Sequence, residues 1–250
     1  MRNRMQSLAL LSLSLAQPVA GWLAHFTGRG KTIEERSDAA GGMVTPAKGA
    51  FAIWGPLFAG NLALAVRSFF RHRFESPLNQ WIAWLSGAAF AGNTAWGVQA
   101  QFGGLGWPSF GIIAGSAIAA SAATVASECV AADSGFARVA ANTTGPLAGW
   151  LTVATFANLD STLNETQGRL SARAATRRAV VLVGAASAAA TGMAIATRGN
   201  LGYAAASAWG LGGVVLRSKR ESRTDVAMTA AIGLCAVAAA TLFSRYRLRA

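Results

Sequence analysis

The segment TPAKGAFAIWGPLFAGN, residues Thr45–Asn61, decides how the rest of this chain is interpreted. It opens an apolar stretch with a proline and then brings two phenylalanines, a tryptophan and a second proline close together. Two later segments repeat its combination of a tryptophan in an apolar run and a nearby asparagine, namely AGNTAWGVQAQFG at Ala91–Gly103 and GPLAGWLTVATFANL at Gly145–Leu159. Since a membrane helix needs about 20 mostly apolar residues, these segments predict membrane-spanning helices.

The composition of the whole chain also indicates a membrane protein. Of its 250 residues, 53% are hydrophobic and 13% are charged, which is about half the charged fraction of an ordinary soluble domain. The net charge of +12 would suggest nucleic acid on a soluble protein, but the arginines lie in short clusters between apolar runs. Such clusters are typical of loops that meet anionic headgroups, so we expect the lipid bilayer, and no nucleic acid, as a partner.

Eight segments are long and apolar enough to predict an all-α, polytopic membrane helix bundle. In chain order they are Leu8–Phe26, Gly49–Phe70, Trp81–Phe102, Ser109–Ser127, Ala141–Leu159, Ala179–Ala196, Leu201–Leu216 and Val226–Phe243. The first segment has the basic start of a secretory signal, but its length and its aromatic end favour a retained helix. The positive-inside rule leaves the orientation open, because the 22 basic residues divide ten to twelve between the two sides.

The chain is predicted to have two parts that differ in amino-acid composition. Seven of the eight tryptophans precede Asp160, whereas the later spans are rich in alanine and glycine, which let membrane helices approach closely. We therefore expect a working core at residues 1–163, and a basic loop with three packing helices at residues 164–250. Gly111 and Gly115 form a GxxxG pair, which makes a homodimer a candidate assembly.

Charged residues are absent from the middle of every predicted span. Ionisable groups at depth mark ion paths and proton relays, so this pattern argues against a pump or an ion-coupled transporter. Glu128, Asp160 and Arg198 lie at span edges, where we expect solvated helix ends. No metal site is expected, since one needs three or four convergent ligands and the two cysteines and two histidines are isolated from one another.

The roles of three tryptophans and two asparagines of the spans are open from the residues alone. Trp54, Trp96 and Trp150 suit either a packed core or a pocket for a flat apolar ligand, and each buried indole needs a hydrogen-bond partner. Asn93 suits either a bond between helices or a polar point in a pocket, because a buried amide is costly when unpaired. Asn158 is expected to cap the end of its helix.

Prolines are expected to shape two of the spans. Pro46 and Pro56 bracket the first turns of the second span, and Pro146 opens the fifth. Because proline bends the interior of a helix, Pro56 predicts a kink beside Trp54. Neighbouring helices can satisfy the carbonyl group that such a kink frees, and the kink can also open a cavity.

Taken together, the three tryptophan segments resemble the tryptophan-rich sensory protein family, the bacterial TspO and translocator-protein group. The residues that carry the resemblance are Pro46, Phe51, Trp54 and Phe58 in the second span, Asn93, Trp96, Phe102 and Gly103 in the third, and Pro146, Trp150, Ala154, Thr155 and Asn158 in the fifth. The resemblance covers about residues 6–163. Phe58 and Leu147 stand where the family commonly has tyrosine, and Lys48 stands where it often has a small or aromatic residue.

This resemblance implies a five-helix core, often dimeric, that binds porphyrins, other tetrapyrroles or sterols. The pocket would be lined by the tryptophans of the second and fifth spans, with the loop Gly28–Lys48 as its lid and Lys48 as a partner for tetrapyrrole propionates. The expected ligand-binding residues are Pro46, Lys48, Phe51, Trp54, Phe58, Asn93, Trp96, Pro146, Trp150 and Asn158, with no catalytic residue among them. No cofactor is required, and the expected function is a sensor or carrier in a bacterial inner membrane.

Other functions remain open at this point. A structural or assembly protein with a tryptophan-stabilised core and no small ligand is the main alternative. A porphyrin-degrading enzyme is a second, although no acid–base pair supports it, and a secondary transporter is disfavoured by the missing buried charges.

Overall fold

The computed structural model describes residues 2–71, 76–168 and 170–247, and every regular element within these ranges is helical. The α-helices are α1 (Arg2–Gly21), α2 (Leu23–Thr27), α3 (Ile33–Ala40), α4 (Trp54–Arg71), α5 (Pro77–Phe102), α6 (Trp107–Val130), α7 (Gly135–Gln167), α8 (Ala172–Ala196), α9 (Leu201–Arg220) and α10 (Thr224–Arg247). A 3₁₀ segment, Lys48–Ile53, leads directly into α4.

The predicted all-α membrane bundle is confirmed. Each of the eight predicted spans falls on these helices. Four helical stretches within the described residues are long and apolar enough to cross a membrane, namely Lys48–Phe70, Trp107–Val130, Ala172–Ala196 and Thr224–Arg247. The remaining long helices carry more polar side chains, and many of these lie inside the bundle. Their lower hydropathy therefore reflects polar contacts between helices.

The central helix is α7, which packs against α4, α5, α6, α8 and α9. The predicted fifth span stops at Leu159, but α7 continues to Gln167. The polar and basic sequence at residues 160–178 predicts a loop, but residues 160–167 belong to α7 and residues 172–178 belong to α8, so this prediction is wrong for most of its length. The prediction of Asn158 as a helix cap is wrong as well. The polar end of α7 stays helical because its side chains find partners on neighbouring elements.

The prolines act differently from their predicted roles. The second span is not one kinked helix, because the backbone changes from 3₁₀ to α geometry at Trp54 and Pro56 lies in the first turn of α4. A proline ring clashes with the carbonyl group four residues earlier, here that of Ala52, and this explains why α geometry begins so late. Pro146 does not open its helix but lies inside α7.

The C-terminal helices approach the rest of the bundle through small residues. At Gly149 of α7 a β-carbon would collide with the backbone carbonyl of Tyr203 on α9, so only glycine fits this crossing. By contrast, β-carbons at Gly111 and Gly115 would meet nothing within 4 Å. The GxxxG pair therefore has no packing role inside the chain, and the predicted homodimer stays a prediction.

The predicted loop Gly28–Lys48 contains the short helix α3. The Glu35 N–H donates to Thr32 Oγ1 at 3.2 Å, and the Thr32 N–H donates to Glu35 Oε2 at 2.8 Å, which is a capping box. The bond from the Thr32 backbone, more than that from its side chain, favours the ionised carboxylate and lowers the pKa of Glu35. Gly41 ends the helix with φ +66°, a left-handed conformation that suits glycine.

Candidate functional site

Five of the predicted site residues form one aromatic cluster with Trp54 at its centre. The Trp54 ring centroid lies 5.5 Å from that of Phe58, 6.0 Å from Trp96 and 5.8 Å from Trp150. Phe51 meets Trp150 edge to face at 6.0 Å. These separations are those of favourable aromatic pairs. The start of α4, the middle of α5 and the middle of α7 thus bring together residues that are far apart in the sequence.

The indole N–H groups of the cluster lack acceptors. Among the described residues, the Nε1 atoms of Trp54, Trp96 and Trp150 are buried and have no hydrogen-bond partner. The side chains of Trp96 and Trp150 are only 6% and 2% exposed. A buried donor left unpaired costs about 1–3 kcal/mol, so the cluster offers three donors to whatever occupies the space beside it.

A groove of about 620 Å³ lies beside the cluster. Its walls come from the α1–α2 junction, the start of α3 and the first turns of α4, and its lining includes Trp22, Ile33, Phe51, Trp54 and Phe58. Polar groups of Thr32, Glu34 and Lys48 lie along the same groove. The volume is within the usual range of about 300–1,000 Å³ for small-molecule sites. We call this space the aromatic groove.

Two smaller cavities adjoin the cluster. One of about 30 Å³ lies among Trp54, Trp96 and Trp150, and is also lined by Pro46 and Asn158. The other, of about 50 Å³, shares Trp22, Ile33, Trp54 and Phe58 with the aromatic groove and ends on amide side chains. The aromatic cluster therefore borders one large space and two small ones.

Asn93 belongs to a buried cluster of three amides. The Nδ2 groups of Asn61 and Asn93 donate to Gln17 Oε1 at 3.0 and 2.9 Å, and join α4, α5 and α1. The three side chains are at most 5% exposed. Asn93 thus both connects helices and lines the 50 Å³ cavity. Gln17 and Asn61 were missed from the sequence, where the only signal was an amide within each of the first two spans.

Asn158 lies inside α7, and both polar atoms of its side chain are hydrogen-bonded. Its Nδ2 donates to Ser109 Oγ on α6 at 3.0 Å, and its Oδ1 accepts from Thr162 at 3.3 Å. The amide therefore ties α7 to α6 while it lines the 30 Å³ cavity.

Three other predicted site residues lie in different surroundings. Pro46 is buried beside the cluster. Lys48 is 72% exposed at the mouth of the aromatic groove, where its Nζ pairs with Asp38 at 2.9 Å. Pro146 lies away from the cluster, in a separate apolar groove of about 510 Å³ between α4, α7 and α9. Nine of the ten predicted residues are thus brought to one region, and Pro146 is not.

The loop over the cluster is fastened by Asp160, which is 1% exposed. Its Oδ2 accepts the N–H groups of Met43 and Val44 at 2.7 and 3.2 Å, and its Oδ1 accepts from Arg178 Nε of α8 at 2.9 Å. The expectation that Asp160 is a solvated helix end is wrong, because α7 continues past it and the loop covers it. Buried charges of this kind have to be paired and hydrogen-bonded.

Helix α9 fastens the same loop and the 3₁₀ segment that follows it. The Ala47 N–H donates to the Gly213 carbonyl oxygen at 3.0 Å, and Arg217 pairs with Asp38 at 3.3 Å. Trp209 Nε1 donates to the Ala50 carbonyl oxygen at 2.8 Å. The C-terminal helices, which the sequence predicted to be packing elements, therefore also hold the loop over the aromatic cluster in place.

Within the described part of the chain, no three His, Cys, Asp or Glu side chains are placed to hold a metal ion.

A family model described as TSPO-like protein matches residues 6–243. The chain belongs to this TSPO-like family. The match extends beyond residue 163 and includes α8, α9 and nearly all of α10, so the family region is longer than the resemblance in the sequence suggested. No curated protein and no solved structure matches the chain.

Family membership and the apolar helices together establish this TSPO-like protein as a multi-pass membrane protein.

Proposed function

We propose that this TSPO-like protein binds a flat, largely apolar small molecule, a tetrapyrrole or a sterol-like compound, in the aromatic groove. One observation carries the proposal: Trp54, whose buried indole N–H has no acceptor, lines a groove of ligand size. Trp96 and Trp150, whose N–H groups are also unpaired, lie against its ring and line the smaller cavities beside the groove. Aromatic faces stack on flat rings, and the N–H groups supply donors for a polar atom of the ligand.

The mouth of the groove suits a carboxylate-bearing ligand. The Lys48–Asp38 ion pair is 72% and 34% exposed, and a surface pair of this kind is weak because water screens it. A tetrapyrrole propionate can therefore replace Asp38 as the partner of Lys48 at little cost. In this arrangement the macrocycle lies against Phe51, Trp54 and Phe58.

The function that follows is a sensor or carrier, which we place in a bacterial inner membrane. A binding site covered by a fastened loop exchanges its ligand only when the loop opens. Occupancy of the groove by the ligand is then linked to the position of residues 28–48. A sensor and a carrier both require such a link.

A packing scaffold without a ligand is the competing function. It is favoured by the direct ring contacts of Trp54 with Trp96 and Trp150, and by the small size, about 30 Å³, of the cavity between them. In that case the rings form a core and the groove is filled by lipid.

Tryptophan fluorescence of the purified protein in detergent, titrated with protoporphyrin IX, tests the proposal. We expect saturable quenching with micromolar affinity or better in the wild type. Trp54→Leu and Trp150→Leu remove rings of the cluster and should weaken binding by about tenfold, since an aromatic contact contributes roughly 0.5–1.5 kcal/mol beyond its buried area.

Trp84→Leu is the matched control, because Trp84 lies on α5 outside the cluster and is 53% exposed. It should leave the affinity unchanged. Linear, unsaturable quenching that is identical in all four proteins would instead indicate partitioning into detergent, and the scaffold would become the leading function.

A further inference from the structure

The groove that contains Pro146 opens on the outer face of the bundle, away from the aromatic cluster. It has a volume of about 510 Å³ between α4, α7 and α9, and its lining includes Pro56, Ala205 and Trp209. Pro56 and Ala205 are exposed, and Trp209 is 50% exposed. Since α4 is long and apolar enough to cross a membrane, the groove faces lipid chains.

Small residues keep this groove open. A β-carbon at Gly202 would lie 2.8 Å from the Pro146 ring, so α9 lies directly against that ring. Trp209 lies two turns further along α9, where its Nε1 is held by the Ala50 carbonyl oxygen at 2.8 Å. The distance between these two positions of α9 is about 10 Å. The groove is therefore an elongated apolar space with fixed walls, which suits a flexible chain.

An unpaired amide lies at one end of the groove. Asn142 lines it, is exposed, and has no side-chain hydrogen bond to another described residue. Pro146 has no N–H, so the Asn142 carbonyl group also lacks its helical donor. The apolar run of α7 begins at Ala141, which places Asn142 at the boundary between hydrocarbon and headgroups. The acyl esters of phospholipids lie at this level of a bilayer.

Two arginines lie outside this boundary. Arg138 precedes Asn142 by four residues, and so lies on the same face of α7. Arg67 follows the lining residue Gly60 by seven residues on α4, and its Nη2 lies 3.2 Å from the position of a β-carbon at Gly135. Arg138 donates to two backbone carbonyl oxygens of the preceding turn. Within the described ranges, neither guanidinium group pairs with a carboxylate.

The order of these groups from the membrane surface inward matches the order of groups in a phospholipid. Two guanidinium groups lie at the level of the phosphate, an amide at the level of the esters, and an apolar groove at the level of the chains. We propose that the groove between α4, α7 and α9 binds one anionic phospholipid. Its phosphate lies between Arg67 and Arg138, an ester carbonyl accepts from Asn142 Nδ2, and one acyl chain follows the groove past Pro146 to Trp209.

Native mass spectrometry of the purified full chain in detergent tests this site. The protein receives equal amounts of phosphatidylglycerol and phosphatidylcholine that carry the same palmitoyl and oleoyl chains. We expect one retained lipid per chain and at least about fivefold more phosphatidylglycerol, because each arginine near a membrane surface favours an anionic lipid roughly fivefold.

Arginine variants test the recognition of the headgroup. Arg67→Gln combined with Arg138→Gln removes both guanidinium groups and should lower phosphatidylglycerol retention at least about fivefold, to the level of phosphatidylcholine. The matched control is Arg4→Gln with Arg247→Gln, which removes the same charge from exposed helix ends on the same side of the bundle. It should leave the retention unchanged, and thermal melting of each variant reports its folding.

Alanine variants test the position of the acyl chain. Ala205→Phe places a ring in the groove and should lower the retention of both lipids at least about fivefold. Ala238→Phe adds the same ring to an exposed alanine of α10 outside the groove, and should retain lipid as the wild type does.

Several results would overturn the site. Equal retention of the two lipids by the wild type would show that the headgroup is not recognised. Equal losses in the two arginine pairs would show that only the total surface charge matters. Wild-type retention by Ala205→Phe would place the chain elsewhere, and a dimer that carries no lipid and is lost in Ala205→Phe would assign the groove to a second copy of this chain.

Discussion

At the scale of single residues, Asp160 is a buried charge that depends on its hydrogen-bond and ion-pair partners. Its carboxylate is buried and is held by two backbone N–H groups and by Arg178, whose side chain is 15% exposed. Such an arrangement is stable only while every partner is present, because removing one partner leaves a buried charge uncompensated.

We therefore expect Arg178→Met to destabilise the protein by about 3–5 kcal/mol, as measured by thermal or denaturant unfolding in detergent. Arg177→Met changes an exposed neighbour and should have an effect within about 0.5 kcal/mol. Adding Asp160→Asn to Arg178→Met should recover part of the loss, since no net charge then remains buried. Equal stability of the wild type and Arg178→Met would show that Asp160 is solvated after all.

The resemblance to the family placed the residues of the aromatic cluster in one site, but it did not supply all of the polar surroundings. The tryptophans within apolar runs carry that resemblance, whereas from the residues alone Trp54, Trp96 and Trp150 suited a packed core equally well. The roles of Gln17 and Asp160 depend on partners 76 and 117 residues away in the chain, Asn93 and Met43. Nothing local to those residues indicates such contacts, so sequence periodicity could not supply them.

At the scale of elements, the crossing of α7 and α9 is set by Gly149, where the two backbones touch. Gly149→Ala should destabilise the protein by about 1–3 kcal/mol, because the added methyl group forces the helices apart. Gly111→Ala, which enters open space on α6, should be neutral or stabilising by up to about 1 kcal/mol. The midpoint of thermal unfolding in detergent distinguishes the two, and equal midpoints would contradict this packing.

Helices were easier to predict from the sequence than their ends were. Each apolar run became a helix, because hydrocarbon leaves the backbone few alternatives. The polar end of α7 was mistaken for a loop, since the sequence does not show that Asn164 donates to the Ala40 carbonyl oxygen and that Glu165 accepts from the Leu105 N–H. Polarity ends a membrane span in the sequence, but it does not end a helix.

At the scale of the whole molecule, the C-terminal helices and the aromatic groove are coupled through the loop that both contact. Arg178 of α8 pairs with Asp160, which accepts from the backbone of this loop, and Arg217 of α9 pairs directly with Asp38 of the loop. Combining Arg178→Met with Arg217→Met should speed hydrogen exchange of residues 42–47 by at least about tenfold, since these amides lose their fastening.

The paired control is Arg177→Met with Arg220→Met, which changes two exposed arginines of the same helices. Exchange of residues 42–47 should then match the wild type, as measured by mass spectrometry of peptides from the loop. Unchanged exchange in the first double variant would mean that the loop is held by its own contacts, and the two parts of the chain would then be independent.

The fastening of the loop by Asp160 also has a consequence for biosynthesis. Met43 leaves the ribosome 117 residues before its partner Asp160, which corresponds to a delay on the order of ten seconds at about 5–20 residues per second. During this interval the Met43 and Val44 amides have no native acceptor. A nascent chain interrupted before Asp160 keeps that loop unfastened, so the state of the loop distinguishes such incomplete chains from finished molecules for any protease that surveys the membrane.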